Sequence, residues 1–366
     1  MRDIDRHNGL RTVLGVCVAT ALLSVSTFSV AQEEEADATT LPQVEQKLKK
    51  LRKHVKQLEM QVGELQARDR YVDAEVDCAA GGSINDVLQL HANGLGLLTI
   101  YIKGTCTEAV VIERSNVTLN GVVEAATIQA PSAPLFSVNV TNGAHDVRIE
   151  NLTLRGPQGG AAVNKNSHAV FRNIIAEQTN LAMVASDNGT MEITQATIRS
   201  SNVGVYASRG GVALVSNSTI EQNVTGLLAF KGGTVNATSL TPDGIGPDIV
   251  LVRNNTTGGV ARSGGVLELS DTTVVNNTGV GLLADSGSSI HFFNSVNGNK
   301  NFVSNNVGTG VHVAKTASVV FSDASGTIVG NSIGIFCAPN SSGYVAPSGP
   351  GTVTANRAVD ILNCAP

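Results

Sequence analysis

Between Ala196 and Gly233 the chain states one phrase twice, "ATIRSSNVGVYASRGG" and then "STIEQNVTGLLAFKGG", with Ile198 and Ile220 22 residues apart. A unit this short cannot bury an apolar face by itself, so successive copies must stack. The landmark is a β-branched residue, then polar residues including Asn or Ser, then a Gly-apolar step. It recurs at Ile198, Ile220, Val252, Val275, Val303, Val329 and Val353, with a looser copy at Ile175. The intervals from Ile175 onward are 23, 22, 32, 23, 28, 26 and 24, and the two longest carry insertions, Thr241–Asp248 and Asn294–Lys300.

Each unit spells about three short strands separated by turns, with no helical period between them. Such a coil closes as one rung of a parallel β-helix, with rungs about 4.8 Å apart. The expected inward residues are Ile198, Val203, Val205, Val212 and Leu214, stacked on Ile220 and its neighbours. Composition agrees: 42% apolar, 15% charged, no Trp and 38 Gly suit short Val/Ile/Thr strands between Gly and Asn turns. The recurring Asn223, Asn255, Asn277, Asn306, Asn331 and Asn356 are expected at one αL turn, bonding amide to amide between rungs. The many Asn-x-Ser/Thr sequons (Asn116, Asn139, Asn151, Asn188, Asn223, Asn236) follow from Asn turns beside Thr strands and read as architecture. The "GVGLLA" at Gly279 precedes no helix and is not a dinucleotide fingerprint.

The N-terminus reads as a signal peptide over residues 1–31. Arg2, Arg6 and Arg11 precede the apolar run Val13–Val25, and Ser29-Val30-Ala31 forms a cleavage site before Gln32. Export to the periplasm, cell surface or extracellular space is expected, with no transmembrane span. Cleavage removes Cys17 and leaves four cysteines, whose spacing suggests disulfides Cys78–Cys106 and Cys337–Cys364. No CxxC pair suggests zinc. A net charge of −5 leaves no basic footprint for nucleic acid.

Residues 32–42 form an acidic linker, and 43–70 a coiled-coil stalk. Leu41, Val44, Leu48, Leu51, Val55, Leu58, Val62 and Leu65 step by alternating 3 and 4. Val55 and Val62 fall at a, with Leu51, Leu58 and Leu65 at d, a choice that favours two strands and self-association. In a parallel pair Lys47 would repel Arg52, whereas His54 and Glu59 match. The basic run Lys47–Lys56 reads as a solvated face or a contact with an anionic surface.

From Tyr71 the β-helix domain runs to 366. "SINDVLQLHANG" opens it as a short helix capped by Ser83, with Ile84, Val87, Leu88 and Leu90 facing inward. This helix, then "TIYIKGT", "EAVVI" and "NVTLNG", resembles the opening of the pectate-lyase-like right-handed parallel β-helix superfamily. The resemblance implies an all-β single-stranded right-handed parallel β-helix whose short N-terminal helix plugs the open first rung. Its enzymes act on pectate, polygalacturonate or alginate. This chain lacks their Asn-Thr-Asp, Gly-His-Gly and Asp-Pro-His signatures, and no Asp/Glu cluster at rung spacing marks a calcium site. No cofactor is expected, with calcium as an alternative for which the sequence shows no motif.

Two candidate sites follow from lining up the repeats. Before the Gly turn the column reads Asp187, Arg209, Lys231, Arg262, Asp285 and Lys315. Arg209, Lys231 and Arg262 at rung spacing would bind a polyanionic sugar chain or form a solvated ridge. Lys165, His168 and Arg172 supply a base and a cation of the kind a lyase needs to take a proton beside a carboxylate and hold the enolate. His291 and His312 read as structural or exposed. The expected function is a non-catalytic exported β-helix that binds polysaccharide. The alternatives are a lyase acting on acidic glycans and a structural or adhesive spike assembled through the stalk.

Overall fold

The computed structural model describes residues 41–68, 71–122, 126–238, 249–293, 301–322, 326–339, 344–347 and 352–364. The expected signal peptide, most of the acidic linker and both insertions lie outside the described residues. The chain divides into two units between Ala67 and Arg68.

The described residues of the first unit all belong to one helix, α1 (Leu41–Arg68), whose described seam residues Leu48, Leu51, Val55 and Leu58 are all exposed. No helix among the described residues is long and apolar enough to cross a membrane.

The second unit is a right-handed parallel β-solenoid of three sheets. In each sheet the neighbours are strands from successive turns, and the paired strands run parallel. One rung shows the plan: Val203–Ser208 lies in sheet III, Val212–Ser216 in sheet I and Thr219–Glu221 in sheet II, before Thr225–Phe230 returns to sheet III. A short helix, α2 (Ile84–Leu90), caps the first rungs. Ser83 Oγ accepts from Asp86 N, and the Glu108 carboxylate accepts from Ile84 N at 2.7 Å and Asn85 N at 3.1 Å. An acid at the free amides of a helix start is favourable. Ile84 and Leu88 join the core with Val87 packed against them, but Leu90 is 79% exposed, because α2 ends there and turns away.

The core is a stack of aliphatic columns. Ile198, Ile220, Val252, Val274, Val303, Ile328 and Val353 lie in register along sheet II. The inward landmarks are therefore Val274 and Ile328 rather than Val275 and Val329, and Ala176 rather than Ile175. A one-residue slip turns a strand inside out, so each substitution of neighbour for neighbour matters. Val205 is buried as expected, but Val203, Val212 and Leu214 are only half-buried, while Ala213 and Val215 fill the interior. Val212 to Val215 is apolar throughout, so alternation is silent and the hydrogen-bond register decides.

Two disulfides join the expected pairs, Cys78–Cys106 and Cys337–Cys364, with Cα separations of 5.0 and 4.9 Å. Cys78, Cys106 and Glu108 are the one group of metal-type ligands found clustered among the described residues. Their thiols are consumed by the disulfide, and Glu108 is committed to α2.

Candidate functional site

The corner between sheets II and III carries the asparagine ladder. Nδ2 of Asn223 donates to Oδ1 of Asn255 at 3.1 Å, and the chain continues through Asn277, Asn306 and Asn331 to Asn356 at 2.8–3.2 Å. Each Oδ1 also accepts the backbone N–H of the preceding ladder position, as in Ser201 N to Asn223 at 3.0 Å. The second proton of Asn255 Nδ2 goes to Ile220 O at 3.1 Å. The amides are thus satisfied on every side, which is what complete burial requires. They are not the left-handed residues of the turn. That conformation belongs to the residue just before: Ser200, Gln222, Asn254, Asn276 and Asn305 all have φ near +55°. The sequence expectation was one position off, because a ladder amide must point inward and its predecessor makes the bend.

Turning the chain there leaves an open polar groove on the outside. It is lined by Thr179, Ser200, Ser201, Asn202, Gln222, Asn223, Val224, Asn254, Thr256 and Thr278, and it spans about 580 Å³. Every lining residue but Val224 carries a hydroxyl or an amide. Asn202 Nδ2 donates to Asn180 Oδ1 at 2.8 Å, extending the amide row.

Beside the groove runs a column of alternating charge that the sequence reading missed. Arg155, Glu177, Arg199, Glu221 and Arg253 are in register on five successive strands of sheet II. Glu177 is bridged by Arg155 Nε and Arg199 Nε, each at 2.8 Å, and Arg253 Nε meets Glu221 at 2.9 Å. The readable signal was the residue after each inward landmark, which alternates in sign from "TLR" to "LVR". The Glu177 side chain is only 7% exposed. Burial pushes its carboxyl pKa up, but the hydrogen bonds and charges of Arg155 and Arg199 outweigh that and hold it below its ordinary value. A depressed folded pKa stabilises above the ordinary carboxylate range, and that stability is lost as pH falls through the folded value. Denaturant midpoints should therefore fall more steeply with acid in the wild type than in Glu177→Gln, which is weaker at neutral pH but keeps more of what it has.

The predicted cationic ridge lies at a different corner, between sheets III and I. Extending the strand registers by one residue, or by two at Lys165 and Lys315, places Lys165, Asp187, Arg209, Lys231, Ser263, Ser286 and Lys315 in one column, each with positive φ. Arg209 Nε meets Asp187 at 2.8 Å. Lys231 Nζ sits 5.1 Å from the Phe230 ring centroid. Arg262 is not in this column. It pairs in register with Phe230 and Asp285, and its Nε reaches Asp285 at 3.2 Å. "ARSGG" has one residue more between Arg and the glycines than "SRGG", and Ser263 takes the corner. Burial pushes the Asp285 carboxyl up, but Lys315, Ser286 and Arg262 together hold it low.

The second cluster does not converge. Lys165 Nζ reaches back to Asn142 Oδ1 at 3.4 Å, His168 Nε2 meets Glu192 Oε1 at 3.1 Å, and Arg172 Nε donates to Gln195 Oε1 at 3.1 Å. His168 and Arg172 open and close one strand of sheet I, a separation of about 13 Å at the usual strand rise. His291 packs edge-on against Phe293 and His312 against Phe336.

Three stacked parallel sheets with an inward amide ladder define a solenoid class, and the comparison with known families agrees. Residues 136–346 match the family described as "Right handed beta helix region", and the chain belongs to it. No curated protein matches the chain. A solved structure similar to it is the A-module of mannuronan C-5 epimerase AlgE6 from Azotobacter vinelandii, at 11% sequence identity and a TM-score of 0.41, over 77% of this chain and 94% of that one.

Proposed function

We propose that this protein is an exported, non-catalytic β-helix that binds polysaccharide along the groove between sheets II and III. The carrying observation is the groove lining itself, where hydroxyls and amides repeat from rung to rung across Ser200, Gln222 and Asn254. A polymer of sugar rings offers donors and acceptors at a regular interval, and a solenoid answers with the same groups about every 4.8 Å. The neighbouring Arg and Glu residues hold each other, so the groove offers positioned hydrogen bonds rather than a free acid and base. Two disulfides and the leader-like N-terminus support export.

A second reading places an acidic glycan on the ridge, favoured by Lys231, whose ammonium faces a ring rather than a carboxylate. One experiment separates the two. The mature chain is tested for retention on pectate, alginate and sulfated glycans while ultraviolet absorbance is followed, with and without calcium. The groove reading expects retention without new absorbance. It further expects Asn202→Ala with Thr256→Ala to weaken binding roughly tenfold or more, at about 1 kcal/mol for each hydrogen-bonding group. Arg209→Ala with Lys231→Ala should then leave binding nearly unchanged. The reverse pattern transfers the site to the ridge, and rising absorbance replaces binding with lyase chemistry.

A further inference from the structure

We infer that α1 pairs in parallel with α1 of a second copy, forming a two-stranded coiled coil. The pairing does not rest on the glycan reading. The seam residues Leu48, Leu51, Val55 and Leu58 are 45–63% exposed on a helix of 28 residues. A helix with water on both faces gains little from its apolar residues, and most helical stability comes from packing such a face. Only a partner with the same heptad period can fill the seam along its length, and a second copy has that period by identity.

Orientation follows from the flanking charges. In a parallel pair, each Lys47 faces Arg52 of the other copy, and each His54 faces Glu59. In the antiparallel alignment that overlaps the seams fully, Arg52 faces Arg52 and Glu45 faces Glu59, with no opposite pair gained. Valine at a with leucine at d also favours parallel two-stranded coils. The parallel arrangement thus carries one repulsive pair type and one attractive one, and the repulsion gives it a signature. Added salt should strengthen this assembly, since parallel pairing sets the whole basic run Lys47–Lys56 of each copy beside that of the other, and this repulsion outweighs the single His54–Glu59 pair type. An acidic partner helix or an anionic surface would respond in the opposite sense.

The test is sedimentation of the mature chain over a concentration series, without glycan. The expected result is a dimer whose dissociation constant falls as salt rises. Lys47→Glu should tighten it about tenfold, since two like-charge pairs become two opposite ones. Leu51→Lys with Leu58→Lys should weaken it by at least about a hundredfold while the thermal transition of the β-helix stays in place. A monomer at all concentrations, a trimer, looser pairing in Lys47→Glu, or a dimer that survives the double leucine change would each overturn the inference. Failure of glycan capture would leave the sedimentation result untouched.

Discussion

Asn277→Ala is expected to cost about 4 kcal/mol of unfolding free energy, since it strands two buried donors at about 1–3 kcal/mol apiece. Asn277 Oδ1 accepts from Asn255 N at 2.9 Å and Asn255 Nδ2 at 3.2 Å, and alanine leaves both without a partner. The carbonyl of Val252 also loses the Asn277 amide. The Asn277 Nδ2 bond to Asn306 Oδ1 at 2.8 Å is lost as well, but that oxygen keeps the backbone N–H of residue 277 at 3.0 Å, so no donor is stranded on that side of the ladder. Asn277→Asp should be at least as harmful at neutral pH. It keeps the shape, but its carboxylate turns an acceptor toward Asn306 Oδ1 where a donor stood. Thr256→Ala, at an exposed position one rung away, should stay within about 0.5 kcal/mol. Urea midpoints of the three variants measure the contrast.

Gly258→Val is expected to prevent folding, and Gly258→Ala to cost about 3 kcal/mol or more. A Cβ there would lie 2.4 Å from the carbonyl oxygen of Gly281, 2.6 Å from Val274 Cγ1 and 3.0 Å from Asn277 Nδ2. The first of these is backbone of the next rung and cannot yield without parting the ladder. This is why the repeat writes Asn and then, three or four residues on, Gly, as in Asn255/Gly258 and Asn277/Gly281. The glycine leaves room for the amide ladder and the inward valine of the rung that follows. Gly264 supplies the comparison. Nothing lies within 4 Å of a Cβ there, but its φ is +76°, so Gly264→Ala should cost only the left-handed strain of about 1–2 kcal/mol. Thermal midpoints should rank Gly258→Ala well below Gly264→Ala.

These two positions also show how far the sequence could be read. The interval between copies, the polar run and the Gly-apolar step were enough to define the rung, the stacking and the existence of the amide ladder. Register within a rung was harder. Val274-Val275 and Ile328-Val329 are β-branched doublets, and only one member can face the core. Hydrophobicity does not choose between them, whereas the hydrogen bonds of the neighbouring rung do. The same silence misplaced Val212 and Leu214. Arg262 was drawn into the ridge because its distance from the glycines differs by one residue, which on a corner changes the strand partner. The groove was hidden for another reason. Ser200, Gln222 and Asn254 are ordinary turn formers, and one chain cannot tell a turn made for bending from a turn that also faces a ligand. The Arg155–Arg253 alternation was legible once the copies were aligned on their inward residues.

The most direct test of the account is hydrogen–deuterium exchange of the mature chain with and without a polysaccharide that it retains. Slower exchange is predicted in the peptides that hold residues 199–203, 221–225 and 253–257, which bend around the groove in neighbouring rungs. Protection confined to residues 209–211 and 231–233 would contradict it and assign the ligand to the cationic ridge instead.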